Sequence, residues 1–394
     1  MDIMKNFTML QIIFIISYTL VSQLQVSAGE NNSQELYQLL IGKSNSESYY
    51  SNLLAYGQEV STLNFTKISG IKENMCGVLA DSQDNRVYLT SLSGALHILD
   101  AKTNLEVNQT KTKTGSCAVA FDSKADQYFV ISEFSNSISI IDGSNYTIVD
   151  TLEIKQPYEM VVNTNNGLLY VTSDENDQVS VMDKLGKVQK IFDITKPCGI
   201  EIDNLRNRIY VTSEDSARVY VIDGKTNVII TDIKVDKGPR GIAINEQNGK
   251  VYIANSLSNT VSVIDSKSNS VESTIPVDED PRKITFNSNS NTLYLTGGKS
   301  NSLTFIDASS NKIKNSMTVR NPYDISVNPD TNTVYVTNLS NSVFVIEDTD
   351  KSISIMDNSF FILIFSLIII VGIAIIILLI QKKALWRKGS ISKS

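Results

Sequence analysis

Three cysteines, one histidine and two arginines are the residues whose types and placement could do chemistry. Cys76, Cys117 and Cys198 are the only thiols in 394 residues, and His97 is the only histidine. Thiolates that converge on one point can hold a soft metal such as Cu(I). Cys76 and Cys117 can instead pair as a disulfide in an oxidising compartment, leaving Cys198 free. All three also suit small buried apolar positions with no further role. The sequence leaves these three readings open. A lone histidine excludes a His-rich zinc or haem site. His97 lies inside the run Ala95-Leu96-His97-Ile98-Leu99 and reads as a satisfied structural residue. The chain has no Gly-rich phosphate loop, serine elbow or CxxC pair. No catalytic residue is assigned, no resident cofactor is expected, and an enzyme is the less favoured class.

The elements that must position these residues come from a repeat. A tyrosine recurs at Tyr88, Tyr128, Tyr170, Tyr210, Tyr252, Tyr294 and Tyr335, at spacings of 40, 42, 40, 42, 42 and 41. Each is followed 12 to 14 residues later by an acid: Asp100, Asp142, Asp183, Asp223, Asp265, Asp307 and Glu347. Every period holds four short runs of alternating apolar and polar residues, the pattern of strands with one packed face. The clearest is Val251-Tyr252-Ile253-Ala254, then Asn255-Ser256-Leu257-Ser258-Asn259, then Thr260-Val261-Ser262-Val263-Ile264-Asp265. Four strands in 40 to 45 residues is the arithmetic of a β-propeller blade. The expected fold is therefore all-β, a seven-bladed propeller of four-stranded antiparallel blades over residues 61–350. The acids read as turn formers, because an Asp carboxylate accepts backbone N–H bonds across such a turn. Closing the ring needs one borrowed strand. The run from Thr62 to Ser69 is favoured as the latch over Ser352 to Met356, because an open ring leaves a sticky edge.

Tyr335-Val336-Thr337-Asn338, with Tyr170-Val171-Thr172-Ser173 and Tyr210-Val211-Thr212-Ser213, resembles the namesake tetrad of the YVTN family of β-propeller repeat proteins. The likeness covers about Met75 to Glu347. It drifts at Tyr128-Phe129-Val130-Ile131 and Tyr294-Leu295-Thr296-Gly297. The resemblance implies an extracytoplasmic or surface protein and adds little about activity.

Aligning the repeats exposes one variable column, just before each first strand: Cys76, Cys117, Tyr158, Cys198, Arg240, Arg282 and Tyr323. The five from Tyr158 onward each follow a proline directly. First strands of a propeller are innermost, so this column should ring one mouth of the central channel. All three cysteines fall in it. Arg240 and Arg282 beside Tyr158 and Tyr323 suit a carboxylate or acidic peptide, since guanidinium forks match carboxylates. The plainer alternative pairs the arginines with Asp280, Glu279 or Asp324.

The two ends set location. Residues 1–28 carry Lys5, an apolar core from Met9 to Val21 and Val26-Ser27-Ala28, the plan of a secretory signal; an uncleaved anchor is the alternative. Residues 29–60 form a polar arm. After a short linker, 351–359, residues 360–380 are apolar throughout except for Ser366 and Gly372, enough for one transmembrane helix. Lys382, Lys383, Arg387, Lys388 and Lys393 in the tail, 381–394, would hold it cytoplasmic and place the propeller outside. The formal charge of −7, less those five cations, leaves −12 for the exterior. That excludes nucleic acid as a natural partner. Membrane lipid around 360–380, and a surface protein or glycan at the rim, are the expected partners. Asn31, Asn64, Asn108, Asn145 and Asn338 head glycosylation sequons.

Overall fold

The computed structural model describes residues 64–68, 71, 73–339 and 342–348. The segments assigned to the signal, the arm, the linker, the apolar span and the tail lie outside them, as do Asn31 and the run Ser352 to Met356. Among the described residues no helix is long and apolar enough to cross a membrane.

Seven four-stranded antiparallel sheets follow one another along the chain. Their innermost strands are Met75–Asp81, Ser116–Asp122, Met160–Asn163, Pro197–Asp203, Pro239–Asn245, Pro281–Asn287 and Pro322–Asn328, which number blades 1 to 7. Blade 7 closes the ring with a strand from the other end of the chain. Asn64–Ile68 pairs with Ser342–Glu347 in a register that sets Phe65 opposite Ile346 and Ile68 opposite Val343. The latch therefore comes from the N-terminal side. It gives the third strand of blade 7 an antiparallel neighbour in place of an open edge.

The core is divided. One apolar cluster lies at each of the seven blade junctions. At the junction of blades 7 and 1, for example, Tyr335 packs with Val87, Leu89 and Leu99. The seven repeat tyrosines are all fully buried. Several reach across a junction: Tyr335 donates its hydroxyl to the Ala101 carbonyl at 3.2 Å, and Tyr252 to that of Ala308 at 3.4 Å. Burying the ring contributes about 2 kcal/mol apiece, so packing outweighs the hydroxyl bond. Outer strands such as Glu106–Lys111 are mostly exposed.

The six periodic aspartates act as turn formers. Asp223 Oδ1 accepts the N–H groups of Lys225 and Thr226, and Asp307 Oδ1 those of Ser309 and Ser310. Such turns need a residue at positive φ, supplied by Asn227 and Asn311. The regular residues thus build the ring.

Candidate binding site at the channel mouth

Six of the seven mouth residues sit where the inner strand departs from its ladder, and Tyr158 lies just ahead of the inner strand of blade 3. Register shifts separate Met75 from Val78, Pro197 from Ile200, Pro239 from Ile242, Pro281 from Ile284 and Pro322 from Ile325. In blades 4 to 7 the shift begins at a proline, which cannot donate to the ladder, while blade 1 makes it at Met75; a bulge of this kind re-aims the next side chain. The third letter of the tetrad holds the bulge in place. Thr212 Oγ1 accepts the Gly199 N–H at 2.8 Å and donates to the Arg240 carbonyl of the next blade at 2.8 Å. Thr337 makes the same clasp at the ring seam: it accepts from Asp324 N–H at 3.1 Å and donates to the Cys76 carbonyl at 2.5 Å. Gly199 is required by this approach, since a Cβ there would lie 1.9 Å from the Arg240 carbonyl oxygen.

Tyr158, Cys198, Arg240, Arg282 and Tyr323 line one cavity of about 120 Å³ at the mouth, with Glu159 and Lys283 beneath them. Cys76 and Cys117, on blades 1 and 2, are joined by a disulfide with Cα atoms 4.8 Å apart. Cys198 is a free, buried thiol. Burial and the nearby Glu214 carboxylate push it up to about 12, so it stays protonated and unreactive at neutral pH. With the other two thiols bonded to each other, the ring offers a soft metal one sulfur.

The arginines are held by acids. Arg240 donates Nη2 to Glu214 Oε1 at 2.8 Å and Nε to the same oxygen at 3.3 Å. Lys196 shares that carboxylate at 3.0 Å. Burial works to raise the Glu214 carboxyl, yet the bonds from Lys196 and Arg240 leave it below the ordinary glutamate value. Arg282 is gripped by Asp280 Oδ2 through Nε at 2.9 Å and Nη2 at 2.8 Å. Gly298 leaves room for that guanidinium, because a Cβ there would lie 2.3 Å from its Nε. The expectation that Asp280 pairs with an arginine holds for Arg282. Arg240 takes Glu214, which lies in a loop sixteen residues past Cys198.

The next position along the same column was overlooked by the sequence reading. It runs Gly77, Ala118, Glu159, Gly199, Gly241, Lys283, Asp324. Lys283 of blade 6 reaches across the channel to pair with Glu159 of blade 3, as far apart as two blades of seven can be. This pair floors the mouth cavity. Burial holds the Lys283 ammonium below its ordinary value, against the pull of Asp324. Asp324, raised by burial, accepts the Val78 N–H at 2.9 Å. The signal was present in the alignment, as three charges in a column otherwise made of glycine and alanine.

His97 is buried and bonds Glu106 Oε1 through Nδ1 at 2.8 Å. Among the described residues no group of three or more metal-ligating side chains occurs. Asn108 and Asn145 are exposed. Asn338 is 2% exposed, and its amide nitrogen donates to the Arg320 carbonyl at 3.1 Å, so that sequon offers no free acceptor in the folded protein. For Asn64 only the backbone is described.

No family model and no curated protein matches this chain.

Proposed function

We propose that the protein is a membrane-anchored surface propeller of YVTN type that binds another macromolecule through its channel mouth. The carrying observation is the mouth cavity, where the variable column gathers two guanidiniums and two phenols over a charged floor. A rigid closed ring that presents one variable rim suits a binding or scaffolding module.

Location outside the cytoplasm is supported by the Cys76–Cys117 disulfide, which persists in oxidising compartments. Anchoring is supported by the 21 apolar residues 360–380 and the five cations beyond them. The described chain ends at Asp348, just past Glu347, which pairs with Asn64 and Thr333 at the end of blade 7 away from Tyr323. The weaker reading, a metal or redox protein using the cysteines, rests on one remaining thiol.

The test compares full-length protein with a Tyr158→Ala/Tyr323→Ala variant displayed on cells. A partner cross-linked to the first should be recovered about tenfold less with the second. Equal recovery would move binding away from the mouth. Alkaline extraction tests the anchor: the full chain should stay with the membrane, and a chain stopped at Asn358 should be released.

A further inference from the structure

The mouth is too small for a macromolecule and suited to one group of it. About 120 Å³ is well below the roughly 300 Å³ at which pockets begin to enclose a drug-sized ligand. What enters must be a side chain or a chain end.

Its chemistry follows from which donors are still unused. The bonds from Arg240 to Glu214 and from Arg282 to Asp280 employ Nε and Nη2 in each case. Nη1 of neither guanidinium bonds to a described residue. The hydroxyls of Tyr158 and Tyr323 likewise make no hydrogen bond among the described residues, although both rings line the cavity. Burial raises both phenols above the ordinary tyrosine value, so each remains an O–H donor at neutral pH. The cavity thus offers two N–H groups with positive charge behind them and two neutral O–H groups.

The charge count selects among anions. Arg240 and Lys196 share Glu214, with Asp215 a further 3.8 Å from Lys196, while Arg282 pairs with Asp280 and Lys283 with Glu159, so four cations face four acids. No surplus cation remains to neutralise a dianion such as phosphate. A monoanion held by hydrogen bonds fits, and guanidinium and phenol donors match the in-plane lone pairs of a carboxylate. Glu133 and Asp174 stand close enough to act on Tyr323 and Tyr158 respectively, and each opposes an anion beside its phenol.

From these donors and this volume we infer that the mouth is a receptor for one carboxylate side chain, an aspartate or glutamate projected by a protein partner. The inference rests on the binding reading above and names the group that is bound.

The test uses two capped peptides that differ in one group, acetyl-Gly-Glu-Gly-amide and acetyl-Gly-Gln-Gly-amide. Binding to the full-length protein in detergent is followed by ligand-observed NMR. The glutamate peptide should bind about tenfold tighter than the glutamine peptide. Tyr158→Phe/Tyr323→Phe, which keeps both rings and both ion pairs, should weaken it about fivefold. Glu133→Gln should tighten it, since a repelling charge is removed. Acetate should displace the peptide better than inorganic phosphate at equal ionic strength. Equal binding of the two peptides, no binding of either, or stronger displacement by phosphate would overturn the carboxylate assignment, and stronger displacement by methyl glucuronide, itself a carboxylate, would overturn its assignment to a protein side chain. If the cross-linked partner still depends on the mouth while the glutamate peptide does not bind, the carboxylate falls and the binding site stands. If neither depends on the mouth, both fall.

Discussion

At the mouth end of the channel every cation has an acid; at the base end one acid has no cation. Glu201, on the inner strand of blade 4, lines a wider cavity of about 250 Å³ with Asn204, Glu246, Thr285 and Phe286. Its bond is to the adjacent Ile202 N–H at 3.0 Å, and no described cation pairs with it. Burial, with Glu246 adding to it, pushes the Glu201 carboxyl up to about 7. At the mouth, Glu214 is only 7% exposed, yet the bonds from Lys196 and Arg240 hold it below the ordinary glutamate value and ionised. Burial alone therefore does not set the charge of a channel carboxylate; the partner on the neighbouring blade does. The ends also differ in how blades are stitched. Threonine hydroxyls clasp the mouth, and tyrosine hydroxyls reach toward the turns at the base.

The contrast can be broken most strongly at the mouth floor. Lys283→Met should cost about 3–4 kcal/mol in urea denaturation, because Glu159 loses its counter-charge in a confined channel. The double variant with Glu159→Gln should recover more than half of that. A harmless single substitution would mean that water screens the floor as it does the base. Reduction of Cys76–Cys117, which closes 41 residues, should cost about 3 kcal/mol, read as a lower melting temperature in dithiothreitol.

At the base, the effect of Glu201 depends on pH with a definite sign. A carboxyl raised in the folded state binds its proton more tightly there than in the unfolded chain. This group therefore costs nothing well below its ordinary value of 4.5, and stability falls as pH rises from there to about 7. Glu201→Gln should remove that slope and stabilise the protein at pH 8 by about 2 kcal/mol, allowing for water in the cavity. An unchanged slope would assign the titration to another group.

The smallest effects concern the stitches. Thr337→Val strands the Cys76 carbonyl and the Asp324 N–H and should cost about 2 kcal/mol. Tyr335→Phe loses one bond to Ala101 and should cost about 1 kcal/mol. Tyr210→Phe should be neutral, because its buried hydroxyl has no hydrogen-bond partner among the described residues. A large loss in Tyr210→Phe would reveal a bond that water completes.

The periods of Tyr88 through Tyr335 and of Asp100 through Glu347 by themselves determined the blade count, the strand pattern and the turn chemistry, because local spacing dictates strands and Asx turns. They also located the mouth column, since repeats align without reference to distance. Nothing in that alignment said which mouth residues would touch. That Lys283 meets Glu159 across the channel is a fact of ring closure, which brings residues more than a hundred positions apart within bonding reach. That Arg240 takes Glu214, and that Cys198 is left out when Cys76 joins Cys117, follow from how neighbouring blades pack, and the partner found there decides which charges survive. The same closure hid Asn338, an ordinary sequon by its spacing and a buried strand residue by its packing.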